Sequence, residues 1–190
     1  MPDRLDAVTA AQALLDQGQF TDALSQLVAC PTESQIPQST ETLTRYLRDL
    51  LVPRLDRMGF TSEIHSTAQG KPVLAARRHE GDALPTVLGY GHGDVILAQE
   101  DGWSAGRAPF DLTREGDRLY GRGTADNKGQ HLINLMAMET VIQTRGALGF
   151  NATWLIEMGE ETGSPGLEQF CAEQSDLLAA DVLIASDGPR

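Results

Sequence analysis

Residues 85–94 read Pro-Thr-Val-Leu-Gly-Tyr-Gly-His-Gly-Asp. The apolar run over 85–90 has the character of a central strand buried on both faces. Polar chemistry begins where that run stops. His92 and Asp94 follow, two apart and interleaved with glycines. In an extended chain this spacing puts both side chains on one face.

The same arrangement recurs downstream. Residues 150–157 (FNATWLIE) and 181–186 (DVLIAS) read as further buried strands, and each runs into acidic residues. Between them, residues 127–144 read as a helix that is apolar on most faces and so largely buried. Residues 164–174 read as another, with Pro165 allowed in the first turn. Upstream, residues 61–66 and 72–78 alternate in period two and read as strands. A glycine- and proline-punctuated loop over 93–123 carries one short strand near Leu119. The first sixty residues are helical in pattern: 6–17, 21–28, and a longer helix capped by Ser39 or Thr40, with Leu43, Tyr46, Leu47, Leu50 and Leu51 on its inner side. Pro53 is expected to kink or end that helix, and Gly59 to close the region. Strands interleaved with helices predict an α/β layered domain with a mainly parallel central sheet flanked by helices.

The 190 residues fit one domain, and 27 acidic against 15 basic residues give a net charge of −12. Such a chain does not seek phosphate backbones, so nucleic acid is excluded as a partner. The 41% hydrophobic fraction suits a soluble globular chain. No stretch approaches the ~20 apolar residues that span a bilayer, so no membrane partner is expected. The first residues carry Asp3, Asp6 and Asp16 rather than a basic, then apolar, leader. Cys30 and Cys171 have neither metal-type nor redox-type spacing. They read as reduced thiols of a cytoplasmic protein, with a single disulfide left open.

Four segments carry candidate chemistry, and each has an ordinary reading when taken alone. His92 with Asp94 suits a structural hydrogen bond. Asp126, within Gly121-Arg122-Gly123-Thr124-Ala125-Asp126-Asn127-Lys128-Gly129, suits a helix N-cap, although that does not explain the crowding of glycines. Glu160-Glu161 suits a solvated acidic turn, and Asp187 a residue opening an Asp-Gly-Pro bend. Their placement argues otherwise. Three lie beyond the C-terminal ends of buried strands and the fourth opens a helix, at the edge where open α/β sheets bind ligands. One His and four or five carboxylates meeting there, with Lys128 the only base close in sequence, would repel one another unless divalent cations fill the site. Zinc-like ions accept this N and O donor set.

The segments GHGD, GRGTADNKG, EETGS and SDG, in that order, resemble the co-catalytic dinuclear zinc peptidase family of glutamate carboxypeptidase, aminoacylase, carnosinase and succinyl-diaminopimelate desuccinylase. Residues 27–34 (LVACPTES), and Trp103 with Pro109-Phe110, add weaker support. The resemblance runs from about Ala23 onward. It implies two divalent metal ions, zinc first, with cobalt or manganese as alternatives. By it, His92 and Asp187 bind one metal, Asp126 bridges the pair and Glu161 binds the other. Asp94 orients His92. Glu160 is the general base toward a metal-bridged water and later protonates the leaving amine. A cis peptide is implied at Asp126–Asn127. The implied reaction is hydrolysis of an amide in a dipeptide, short peptide or N-acyl amino acid.

The resemblance also implies a longer parent. Members insert a smaller lid domain after the SDG strand, through which they dimerise, and a returning segment supplies a final His. Residues 1–190 are therefore expected to be the N-terminal portion of the catalytic domain, inactive by itself. The remaining histidines are poor substitutes. His131 stands about 140° around a helix from Asp126, and His65 and His79 read as surface residues. Two alternatives stay open: a truncated, non-catalytic metal-binding or interaction domain, and a lid-less dinuclear zinc aminopeptidase.

Overall fold

The structure, a computed structural model, describes residues 3–187. Helix α1 (Arg4–Asp16) opens with a capping box, in which Asp3 and Asp6 each accept the other's backbone N–H. It is followed by α2 (Gln19–Val28), which buries Leu24, Leu27 and Val28. The third helical region begins with α3 (Thr40–Arg45), passes through a π-helical turn (Tyr46–Leu51) and ends as α4 (Val52–Arg57). Neither Ser39 nor Thr40 caps it through its side chain, because a 3₁₀ turn at Pro37–Ser39 leads directly into it. The expected break at Pro53 appears as the wider turn just before it. A proline lacks the N–H that would bond four residues back, and i→i+5 pairing absorbs that misfit without ending the helix. Gly59, at φ +76°, closes the region as expected.

The central sheet holds β1 (Thr61–Ser66), β2 (Pro72–Arg78), β3 (Thr86–His92), β6 (Asn151–Glu157) and β7 (Val182–Ala185), in the order β1-β2-β6-β3-β7. The strands β6, β3 and β7 run parallel, while β2 joins β6, and β1 joins β2, antiparallel. The parallel half carries the motif segments, and the two early strands extend the sheet on the far side. A small hairpin, β4 (Thr113–Glu115) with β5 (Arg118–Tyr120), stands where one strand is expected near Leu119.

Helix α2 (Leu24, Leu27), the third helical region (Leu43, Leu47, Leu55) and helix α5 (Lys128–Arg145; Leu132, Leu135) share one core cluster with Leu74, Ala76, Trp154 and Ile156 on one sheet face. The half-buried Arg54–Glu139 pair, at 2.6 Å, ties α4 to α5. Helix α6 (Leu167–Glu173) covers part of the other face, where Phe170 meets Val73 and Leu155; a short α7 (Ser175–Leu178) follows.

Three further expectations change. Pro165 lies ahead of α6, because Gly166 takes a left-handed conformation (φ +80°) and the helix starts only after it. Helix α5 is buried mainly in its first half, and Ile133 is 53% exposed. The run Val182–Ala185 is an exposed edge rather than a buried strand: among the described residues it pairs with β3 alone, and Leu183 is 63% exposed.

Candidate metal centre

The site lies at the C-terminal rim of the parallel half of the sheet. His92 is the last residue of β3 and is wholly buried. Its Nε2 faces three carboxylates from three separate loops: Asp126 Oδ1 at 2.9 Å, Asp187 Oδ2 at 3.7 Å and Glu160 Oε2 at 3.9 Å. Its Nδ1 sits 3.1 Å from the main-chain oxygen of Asp94 and 3.4 Å from Asp94 Oδ1. A hydrogen on Nδ1 therefore turns Nε2 toward the carboxylates.

Asp94 is fully buried and does a second job. Its Oδ1 accepts the backbone N–H of Glu160 (3.2 Å) and its Oδ2 that of Glu161 (3.1 Å). One carboxylate thus couples the His92 ring to the turn that bears both glutamates. The 30–34 segment braces this loop: Thr32 Oγ1 donates to Gly93 O at 2.6 Å, and Val95 N donates to Thr32 O.

Asp126 is not the cap of α5. Asn127 holds that position, without a side-chain capping bond, and the Asp126–Asn127 peptide is cis. The Asp126 carboxylate, 65% exposed, points to His92 instead. The glycines around it have separate reasons. Gly123 adopts φ +88°, and a Cβ on Gly129 would run into the carbonyl oxygen of Thr124. Lys128, the nearest base in sequence, turns away and is wholly buried. Its ammonium donates to Leu27 O (3.0 Å) and Cys30 O (2.7 Å), and burial pushes its pKa down to about 7. Among the described residues no Lys or Arg forms an ion pair with Asp126, Glu160, Glu161 or Asp187.

The charge balance shows in the titrating groups. Burial lowers the pKa of His92, but the Asp94 hydrogen bond and charge, then Asp187 and Asp126, outweigh it and raise it to about 9. Burial raises the pKa of Glu160, helped by Asp187, Asp94 and Asp126. Burial also raises that of Glu161, with Asp126 the next cause. A rim that draws a proton onto a buried imidazole attracts cations generally. His92, Asp126 and Asp187 each present one donor atom, all within 4.8 Å of one another. Donors on a tetrahedral zinc-like ion stand ~3.4 Å apart, and the observed 2.9 and 3.7 Å bracket that spacing. The residues fit a divalent ion. Glu161 is outside this three-donor group. The bend expected after Asp187, at Gly188-Pro189, lies outside the described residues.

Two site residues escape a reading by motif. Asn127 Oδ1 accepts the backbone N–H of His92 (3.3 Å) and faces His131 Nδ1 (3.3 Å), while its Nδ2 donates to Ser186 O (2.7 Å) and Gln130 Oε1 (3.0 Å). It joins the ends of β3 and β7 to the start of α5. Glu157, the last residue of β6, is buried among Tyr90 and Ser164. Nothing in TWLIEM separates it from an ordinary strand end. Of the other histidines, His131 is buried against Tyr46 Oη (2.8 Å) and burial drops its pKa to about 3, so it is a neutral packing group. His79 is exposed, but His65 is half-buried against Phe170 rather than free on the surface.

No helix among the described residues is long and apolar enough to cross a membrane. The chain is similar to Beta-Ala-His dipeptidase of Rattus norvegicus, at 32% identity over 188 residues, covering 91% of this chain and 38% of that protein. Its structure matches human carnosine dipeptidase 1 with a TM-score of 0.86 at 29% identity, over 97% of this chain and 42% of that one. It also matches the M20 family metallo-carboxypeptidase Sso-CP2 of Sulfolobus solfataricus with a TM-score of 0.77 at 29% identity, over 89% and 37%. The chain thus spans well under half the length of the relatives it matches. The profile of Peptidase family M20/M25/M40 aligns with residues 88–189, which hold all four segments gathered at this rim, and the chain belongs to that family.

Proposed function

We propose that this chain forms the metal-binding part of a hydrolase that cleaves amide bonds of dipeptides or other short peptides, with N-acyl amino acids as the second substrate class. The observation that carries the reading is the meeting of one donor atom each from His92, Asp126 and Asp187 within 4.8 Å. The dipeptidase names of its relatives support the substrate class.

In this reading His92 and Asp187 would hold one divalent ion, Asp126 would serve both that ion and a second, and Glu161 would hold the second; zinc fits the donor set first, then cobalt or manganese. Such ions, when bound, polarise a scissile carbonyl and make water more acidic. Asp94 keeps His92 Nδ1 occupied, so Nε2 stays directed into the site. Glu160 is the proton carrier. Its carboxylate takes a proton from the attacking water as the water oxygen bonds the carbonyl carbon. It returns that proton to the amine nitrogen as the C–N bond breaks.

The chain is then the N-terminal portion of a catalytic domain. A lid, through which the parent forms a homodimer, and a later segment supplying a final His would belong to the rest of a longer protein. The 38% share of the dipeptidase relative's length supports this. The two unpaired thiols, Cys30 and Cys171, support a cytoplasmic setting.

A second reading, a metal-binding domain without turnover, is favoured by one observation: the three-donor group stands within this chain while Glu161 is apart from it. Zinc content and dipeptide hydrolysis, measured on these 190 residues and on a version extended along its gene, separate the two. The hydrolase reading expects turnover in the extended chain and a loss of ~10²-fold or more in its Glu160→Gln variant with zinc retained. Zinc-loaded extended chain without turnover, or Glu160→Gln at parental rate, would contradict it.

A further inference from the structure

The turn that carries Glu160 and Glu161 is held at two ends, and only the Asp94 end has so far been given a role. Asp94 holds the entry through the N–H groups of Glu160 and Glu161. The exit is Ser164. Within the turn, Gly159 O accepts Thr162 N, Thr162 Oγ1 and Ser164 N, and Glu160 O accepts Gly163 N. Ser164 has φ +48°, a left-handed conformation that a residue with a Cβ seldom adopts. Glycine would sit there more easily, as it does at neighbouring Gly163 and Gly166. What serine adds is its hydroxyl, which donates to Glu157 Oε1 at 2.8 Å. Tyr90 Oη donates to the same oxygen at 2.7 Å.

Glu157 is 3% exposed, and among the described residues it forms no ion pair with a Lys or Arg. A buried carboxylate without a cation is a poor stabilising choice, since an apolar residue fills such a place more cheaply. Its location gives it another use. It closes β6 directly opposite His92 in the register with β3, and it stands two residues before Gly159. Its strand is therefore fixed against the strand bearing His92, while its side chain grips the far end of the glutamate turn.

We propose that Glu157, acting through Ser164 and seconded by Tyr90, is a positioning residue that sets where Glu160 and Glu161 stand relative to His92. The proposal rests on the reading of those two glutamates as proton carrier and ligand. Its deciding measurement needs neither metal nor turnover, and a zinc titration then tells its failure from that of the reading.

The test is amide hydrogen exchange, followed by NMR, at Glu160 and Glu161 in the 190-residue chain. Ser164→Gly and Glu157→Leu are expected to lower protection at both amides at least tenfold. Glu157→Gln keeps an oxygen that accepts both hydroxyls and is expected to restore protection to within about threefold of the parent. Ser164→Gly relieves the left-handed strain, so a role in stability alone predicts an unchanged or higher melting temperature and unchanged exchange. Protection in Ser164→Gly within threefold of the parent overturns the proposal, as does failure of Glu157→Gln to restore it. Should Glu157→Leu not fold, Ser164→Gly with Tyr90→Phe decides the matter on the same criterion. Zinc titration of the same samples separates the two readings. Protection lost with zinc affinity unchanged upholds the positioning and faults Glu161 as a ligand. Protection lost with zinc affinity down about tenfold upholds both.

Discussion

Asp94 and Glu161 are 67 residues apart in sequence, yet Asp94 Oδ2 accepts the Glu161 backbone N–H at 3.1 Å. The same side chain faces the His92 ring. The orientation of the buried imidazole and the position of the acidic turn are therefore set by one carboxylate. Asp94→Asn would keep the shape but replace one acceptor oxygen with a donor amide facing an N–H. It is expected to weaken zinc affinity ~10–100-fold, as measured by chelator competition, with the fold retained by circular dichroism.

Asn127 bridges the segments that bear His92, Asp126 and Asp187. Asn127→Ala strands Ser186 O and the His92 N–H, both bonded to its amide in the parent. A loss of ~1–3 kcal/mol in urea unfolding is expected, together with weaker zinc binding. Unchanged stability would mean that the hub is dispensable.

A pH dependence follows from His92. Its folded pKa of about 9 lies above its ordinary value of 6.5. In metal-free protein the stabilisation from its proton is then fully present below about pH 6.5 and is lost as pH rises through 9. Zinc must displace that proton, so zinc affinity should climb roughly tenfold per pH unit between 7 and 9. Titrations at several pH values check this, and a flat profile would show that His92 is not the proton that zinc displaces.

Lys128 gives an opposite sign. Burial holds its pKa at about 7, below the ordinary 10.5, so the unfolded chain binds more protons across that window. Stability should rise with pH from about 7 to 10.5 relative to Lys128→Met, in which the group is gone. Paired denaturation curves at pH 7 and 9.5 measure the difference. A gap that does not widen toward higher pH in favour of the parent would contradict the assignment.

Much of the site was legible because its chemistry sits at strand ends. Apolar runs stop, and His92, Glu160 and Asp187 follow within a few residues, so an α/β sheet brings them to one rim whatever the loops do. What was not legible depends on neighbours. The run Val182–Ala185 reads as buried because its residues are apolar, but burial needs a second flanking strand, and β7 has only β3 among the described residues. Lys128 is the only base close in sequence to the acidic rim, and nothing in the sequence says that the carbonyls of Leu27 and Cys30, a hundred positions away, take its ammonium. Pro53 announces an interruption, but not that a π-helical turn absorbs it. Glu157 looks like any strand terminus until Ser164 and Tyr90 converge on it.

The central claim is that His92, Asp126 and Asp187 share a cation. Anomalous diffraction at the zinc edge, from crystals of this chain grown with excess zinc, tests it most directly. A peak ~2.0–2.2 Å from His92 Nε2 and from a carboxylate oxygen of both Asp126 and Asp187 is the predicted result. Zinc peaks only at other places, or none among these three side chains, would contradict it.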